Sequence, residues 1–189
     1  HYLRDHTDME PVICATAQHR QMLDQVLKIF GLKAEFDLDI MSPGQTLAES
    51  TGRIITRLEP VIAKSKPDAI LVQGDTTTTF CGALAGFNAD IAVGHVEAGL
   101  RTGDIRQPFP EEMNRVMVSR LAALHFAATQ RARENLLLEN VAPETIHVTG
   151  NTGIDAVLHI QDMLQAGKLS ARAWDFLDDS KKLVLVTAH

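Results

Sequence analysis

The 189-residue sequence predicts an α/β fold built on a parallel sheet, on three observations. Short apolar runs bounded by glycine, proline or aspartate recur along the chain and have the length of buried strands. Longer segments with apolar residues at helical spacing alternate with them, the order expected when helices join parallel strands. Two central runs, Ala69 to Val72 and Ile91 to Val93, lead into loops that each carry a carboxylate. In a doubly wound sheet ligands lie beyond the carboxyl ends of the strands, so Asp75, Glu97 and Glu111 are expected to converge on one pocket.

In chain order, Val12 to Thr16 reads as a strand, and Arg20 to Phe30 as a helix with Met22, Leu23, Val26 and Phe30 on one side. Phe36 to Ile40 alternates like a short strand. The SPGQT segment is turn chemistry, and Leu47 to Lys64 has helical periodicity through Ile54, Ile55, Leu58 and Ile62. After the strand at Ala69, Thr76 to Phe87 is a helix whose threonines hug the loop while Ala83 to Ala85 supply propensity. Past the strand at Ile91, Pro110 opens a helix to Arg120, and Leu124 to Ala127 is a strand. Helices at Gln130 to Glu139 and Ile154 to Gln165 flank a strand at Ile146 to Val148, and Leu183 to Val186 reads as one more buried strand.

Bulk properties narrow the function classes. An apolar content of 45% with 22% charged residues is that of an ordinary globular chain. The net charge of −6 argues against general nucleic-acid binding, which needs a basic face. No apolar run approaches bilayer length and the first ten residues lack a signal-peptide core, so a cytoplasmic location is expected. Cys14 and Cys81 have no CxxC spacing and are expected to be buried, reduced thiols.

Several blocks together resemble one family. GDTTTT at 74–79, GHVEAGLRTGD at 94–104, PEEMNR at 110–115, TGNTGIDA at 149–156 and TAQHRQMLDQVL at 16–27 are similar to the bacterial non-hydrolysing UDP-N-acetylglucosamine 2-epimerases, in that family's order and spacing. The resemblance implies a Rossmann-like, three-layer parallel sheet that is one half of a two-domain glycosyltransferase B-type architecture. It implies interconversion of UDP-N-acetylglucosamine and UDP-N-acetylmannosamine by elimination and re-addition of UDP through 2-acetamidoglucal, with no metal or redox cofactor. A homodimer serving cell-envelope polysaccharide synthesis is implied in the same way.

The residues themselves leave alternatives beside those roles. Asp75 is suited to capping the helix that follows it, and the resemblance makes it an acid/base group. Thr76 and its neighbours either cap that helix or offer hydroxyls and amides to a substrate anion. Glu97 is placed either to pair with Arg101 or, by resemblance, to be the second acid/base carboxylate, in a loop whose glycines 94, 99 and 103 let backbone approach a ligand. His95 forms an H-x-E with it, but the P-C-x-x-C of zinc deaminases is missing, so a hydrogen-bonding, structural His95 is expected. Glu111 and Glu112 both suit a helix N-terminus. The resemblance assigns catalysis to Glu111 and leaves Glu112 structural, with Arg115 one turn along as a substrate-binding residue that orients Glu111 by ion pairing. His189 matches the family's catalytic histidine, without the arginine-arginine-glutamate that follows it there. Gln18 and Gln21 match glutamines that hold a second, activating UDP-N-acetylglucosamine, or simply cap a surface helix. Gly44 stands where some members place an arginine of that site.

The domain organisation expected is a Rossmann-like domain over 1–164, a connection over 165–180 and the first strand of a second domain over 181–189. Family members open with a strand and a glycine-threonine-arginine-proline-glutamate loop that have no counterpart here. In a Rossmann order that strand is central, so its absence is expected to part the strand at Val12 from the one at Ala69 and to leave the 189 residues alone unstable and inactive. Two other functions stay open: the hydrolysing epimerase, which releases N-acetylmannosamine and UDP, and a non-catalytic nucleotide-sugar-binding module.

Overall fold

The computed structural model describes residues 3, 8–17, 20–42, 44–170, 174, 176–178 and 180–186. They divide into two compact units, 1–151 and 152–189.

In the first unit strands and helices alternate as β1 (Cys14–Ala15), α1 (Arg20–Ile29), β2 (Phe36–Asp37), α2 (Leu47–Ser65), β3 (Ala69–Gln73), α3 (Thr77–Asn88), β4 (Ala92–Ala98), α4 (Glu111–Leu121), β5 (Leu124–Ala127), α5 (Gln130–Leu138) and β6 (Ile146–Val148). All pairings between these strands are parallel, as the alternation predicts. The strands form two pieces: β1 with β2, and a four-stranded sheet in the order β3-β4-β5-β6. Between the pieces, Val12, Cys14 and Thr16 face Ala69 to Gln73 across a cavity of about 320 Å³, floored by Leu58, Val61 and Ile62 of α2 and by Gly82 of α3. The Thr16 and Thr78 hydroxyls meet at 2.9 Å at one end of it.

β1 and β2 are shorter than the runs at Val12 to Thr16 and Phe36 to Ile40 predict. Asp39 is left-handed at φ 42°, which breaks the extended path. Arginines of α2 then take up carbonyls that a longer ladder would use: Arg57 donates to Leu38 and Asp39, and Arg53 to Ile40 at 2.8 Å. α2 itself starts on a capping box, with the Thr46 hydroxyl accepting from Glu49 and the Glu49 carboxylate accepting from the Thr46 amide.

β4 runs through Ala98, well past the Val93 end that its apolar run marks. Polar His95 and Val96 stay in the ladder because β3 and β5 pair with them from both sides, opposite Val72 and Gln73 and opposite His125 and Phe126. Glu97 is therefore a strand residue, not a loop residue. Gly94 serves packing rather than ligand approach, since a Cβ there would lie 2.7 Å from Leu71 Cδ2. Gly99 is similar: its φ is +86° and a Cβ would meet the Ala132 carbonyl oxygen at 2.2 Å.

Three apolar clusters hold the unit together. Leu38, Ile40, Ile54 and Cys81 lie under the β1–β2 piece, while Val72, Ala83, Val93 and Val118 lie between the sheet and helices α3 and α4. Ala98, Ala127, Ala132, Leu136 and Ile146 bury α5 against the far strands. Both cysteines are free thiols, Cys81 buried and Cys14 half-buried, and burial pushes each up to about 11. Among the described residues, no helix is long and apolar enough to cross a membrane.

The second unit contains α6 (Thr152–Gln165). Leu183 to Val186 form no strand, contrary to the reading of that apolar run, and are 70 to 83% exposed. A strand exists only as a paired element, and no described segment of this unit offers it a ladder.

The two glycines after β4 separate steric from conformational cost. Gly99→Ala is expected to destabilise the protein by at least about 3 kcal/mol, because backbone blocks the new methyl. Gly103→Ala, left-handed at +85° but with nothing within 4 Å, is expected to cost only about 1–2 kcal/mol. Urea unfolding of both variants of the complete protein checks the order; equal losses would contradict it.

Candidate active site

The carboxylates that the sequence singles out sit at the carboxyl end of the four-stranded sheet. β3 ends at Gln73, and the chain turns through Gly74, whose φ of +77° and amide bond to the Val96 carbonyl at 3.0 Å deliver Asp75 to the mouth of the sheet. Thr76, not Asp75, caps α3: its hydroxyl accepts from the Thr79 amide at 3.3 Å. Capping duty thus falls on the threonine and leaves the aspartate side chain for other partners.

Those partners come from α4. Arg115 directs Nε at 3.0 Å and Nη2 at 2.6 Å onto one oxygen, Oδ2, of Asp75. Its Nη1 meets Oε2 of Glu112 at 3.0 Å. Asn114 adds a bond from its side-chain amide to the Asp75 carbonyl at 2.7 Å. The expected pairing of Arg115 with Glu111 is not formed. The buried face of α4 carries Glu112, Asn114, Val118 and Ser119, and that phase brings residue 112, three before Arg115, under the guanidinium.

Glu112 is 2% exposed. Burial pushes its carboxyl up, but bonds from the Gly103 amide, the Arg115 guanidinium and the Thr102 amide outweigh that and hold it below the usual carboxylate range. Glu111 occupies the first position of α4 and is half-buried.

Glu97 lies in a break of register between Val96 and Ala98, with φ at +68°. A bulge of this kind re-aims a side chain, and a left-handed glutamate is strained unless its surroundings hold it there. Its Oε2 lies 3.5 Å from where a Cβ on Gly74 would stand, beside the residue that precedes Asp75. The alternative partner, Arg101, is committed elsewhere: it grips Glu139 at 2.6 and 2.9 Å and the Ser119 hydroxyl at 2.8 Å.

His95 is fully buried next to this turn, with Nε2 at 2.8 Å from the Gly74 carbonyl. The geometry makes Nε2–H the donor, which leaves Nδ1 buried without a partner. Burial drives the imidazole down to about 4, so it is neutral at physiological pH and acts as a brace for the Gly74–Asp75 turn.

The structure thus brings Asp75, Glu97 and Arg115 to one turn and sets Glu111 at the head of the helix that supplies Arg115. Thr76 is at the same turn. Gln21 is an exposed residue of α1, away from any bond to these groups. His189 and Gln18 lie outside the described residues. Glu112, Asn114 and the brace at His95 complete the site. Of these, Glu112 and the structural, hydrogen-bonding role of His95 were legible in the sequence, and Asn114 left no signal there.

Comparison with known proteins gives a consistent result. The family model described as UDP-N-acetylglucosamine 2-epimerase matches residues 1–189. A UDP-N-acetylglucosamine 2-epimerase of Escherichia coli K12 is 51% identical over 193 residues, covering 100% of this chain and 51% of that protein. One of Bacillus subtilis is 50% identical, covering 99% of this chain and 48% of the relative. The chain therefore spans about half the length of the curated relatives it matches. The crystal structure of UDP-GlcNAc 2-epimerase from Neisseria meningitidis bound to UDP-GlcNAc superposes with a TM-score of 0.83 at 48% identity, over 88% of this chain and 45% of that one.

A neutral buried histidine makes stability depend on pH. The folded value near 4 lies below the ordinary 6.5, so protonation favours the unfolded chain. The contribution of His95 is complete above pH 6.5 and is lost as the pH falls towards 4, by on the order of 3 kcal/mol in full. In the complete protein the urea midpoint should fall between pH 7 and pH 5, and the His95 ring resonances should stay unshifted over that range. An imidazole titrating near its ordinary value would contradict this.

Proposed function

The chain belongs to the UDP-N-acetylglucosamine 2-epimerase family, and from that premise we propose that it forms the catalytic-carboxylate half of an enzyme interconverting UDP-N-acetylglucosamine and UDP-N-acetylmannosamine. The observation that carries the reading is the meeting of Asp75 and Glu97 at one turn beyond the ends of adjacent parallel strands. Paired carboxylates at such a place are what proton transfer on both faces of a sugar requires.

The chemistry follows from the substrate. The C2 hydrogen is not next to a carbonyl, so a carboxylate removes it only as the C1–oxygen bond to UDP breaks. The C–H electron pair then forms the C1–C2 double bond of 2-acetamidoglucal, and UDP departs with the electrons of the C1–oxygen bond. Re-addition of UDP at C1 with protonation of C2 from the opposite face gives the epimer. Asp75, Glu97 and Glu111 are the acid/base groups, and His189 takes part in proton transfer or pairs with the leaving phosphate. Thr76 and Arg115 border the substrate. All of this needs side chains and a nucleotide-sugar alone.

The GHVEAGLRTGD and PEEMNR blocks favour the non-hydrolysing branch, in which UDP is recaptured. The Neisseria relative holds UDP-GlcNAc in its crystal structure, which supports a nucleotide-sugar as the ligand here. The complete protein is then a cytoplasmic homodimer that supplies cell-envelope polysaccharide synthesis, with Gln18 and Gln21 facing a second UDP-N-acetylglucosamine as activator.

In the complete protein, turnover in deuterated water should place deuterium at C2 of the recovered nucleotide-sugar. Asp75→Asn, Glu97→Gln and Glu111→Gln should each lower the rate by at least about 100-fold. A variant with near wild-type turnover removes that residue from the site. Free N-acetylmannosamine as product would move the protein to the hydrolysing branch.

A further inference from the structure

Glu112 is the one buried carboxylate among the described residues, and its two oxygens have separate tasks. Oε1 accepts from the amides of Thr102 at 2.9 Å and Gly103 at 3.1 Å, which ties the loop after β4 to α4. Oε2 accepts from Arg115 Nη1 at 3.0 Å, which fixes the rotation of the guanidinium. Held in that way, Arg115 presents its Nε–Nη2 edge to Oδ2 of Asp75 alone. Among the described residues, Asp75 Oδ1 takes no hydrogen bond. A planar guanidinium otherwise prefers to cover both oxygens of a carboxylate, in two parallel bonds.

We propose that Glu112 is a positioning residue for the epimerisation: it restrains Arg115 so that the guanidinium orients Asp75 through one oxygen and leaves the other free to meet a proton. This rests on the epimerase reading of the site. The charges around Asp75 fit it. Arg115 stands between two carboxylates, while Glu97 lies against Gly74 and the His95 imidazole bonded to the Gly74 carbonyl is neutral. A guanidinium released from Glu112 is free to close on both Asp75 oxygens, and a base so covered has lost the lone pair it needs.

The test is Glu112→Gln in the complete protein. Glutamine keeps an acceptor oxygen for the Thr102 and Gly103 amides and turns an –NH2 donor towards Arg115, which removes both the charge and the Oε2 acceptor that restrain it. The expected result is a fall in kcat of about tenfold or more with KM little changed, since the loss is one of geometry at the reacting atoms. Adding Glu112→Gln to Arg115→Met should cost no further turnover, because the first acts only through the second. Independently of activity, solvent exchange of the Arg115 Nη1 protons, which Glu112 holds, followed by NMR, should speed up by about tenfold or more in Glu112→Gln. Unchanged kcat, additive losses in the double variant, or unchanged exchange would each overturn the assignment. If the wild-type protein does not epimerise nucleotide-sugars, the epimerase reading fails while the exchange measurement still decides whether Glu112 restrains Arg115. If Glu112→Gln does not fold, Arg115→Met alone decides: a fall in kcat of about tenfold or more supports the lever, and an unchanged kcat overturns it.

Discussion

One guanidinium joins the parts of this site. Arg115 reaches from the second turn of α4 to the residue just beyond β3, and on the way engages a glutamate that also holds the loop following β4. Through it a helix, two neighbouring strand ends and a loop are fixed to one another by charge-assisted bonds between 2.6 and 3.1 Å. Such bonds are stronger than neutral ones, and breaking one partner of a buried set leaves the others uncompensated. The geometry of Asp75 is therefore a property of the whole β3–α4 region.

Much of this was legible in the sequence because it rests on local pattern. Alternating apolar runs and amphipathic segments identified by type the six strands and six α-helices named above among the described residues, and a proline followed by two acidic residues marked the start of α4. The family blocks singled out Asp75, Glu97 and Glu111, of which the structure brings the first two to one turn. What stayed hidden depends on three-dimensional neighbours. β4 extends past Val93 because strands on both sides pair with polar residues that carry no apolar signal. Arg101 turned from Glu97 to Glu139, 38 residues away, a partnership that no spacing rule anticipates. The pairing of Arg115 with Glu112 instead of Glu111 was decided by which face of α4 the core buries. Leu183 to Val186 have strand composition but no ladder.

The same distinction explains the glycines. In the sequence they read as room for a ligand, whereas Gly94 and Gly99 make room for protein: a leucine and a carbonyl occupy the space a Cβ would take. Strain is instead found at a residue with a charged side chain. Glu97 sits left-handed in a bulge, beside a turn braced by a histidine whose burial keeps it neutral. A glutamate held in an unfavourable backbone state at the end of a strand is a mark of function more than of stability.

The central claim is that Asp75, Glu97 and Glu111, far apart in the chain, serve one hexose. A crystal structure of the complete protein with UDP-N-acetylglucosamine bound tests it most directly. The account predicts all three carboxylates within about 3.5 Å of the sugar, directly or through one water, with Asp75 held by Arg115. A sugar bound with any of the three out of that reach would contradict it.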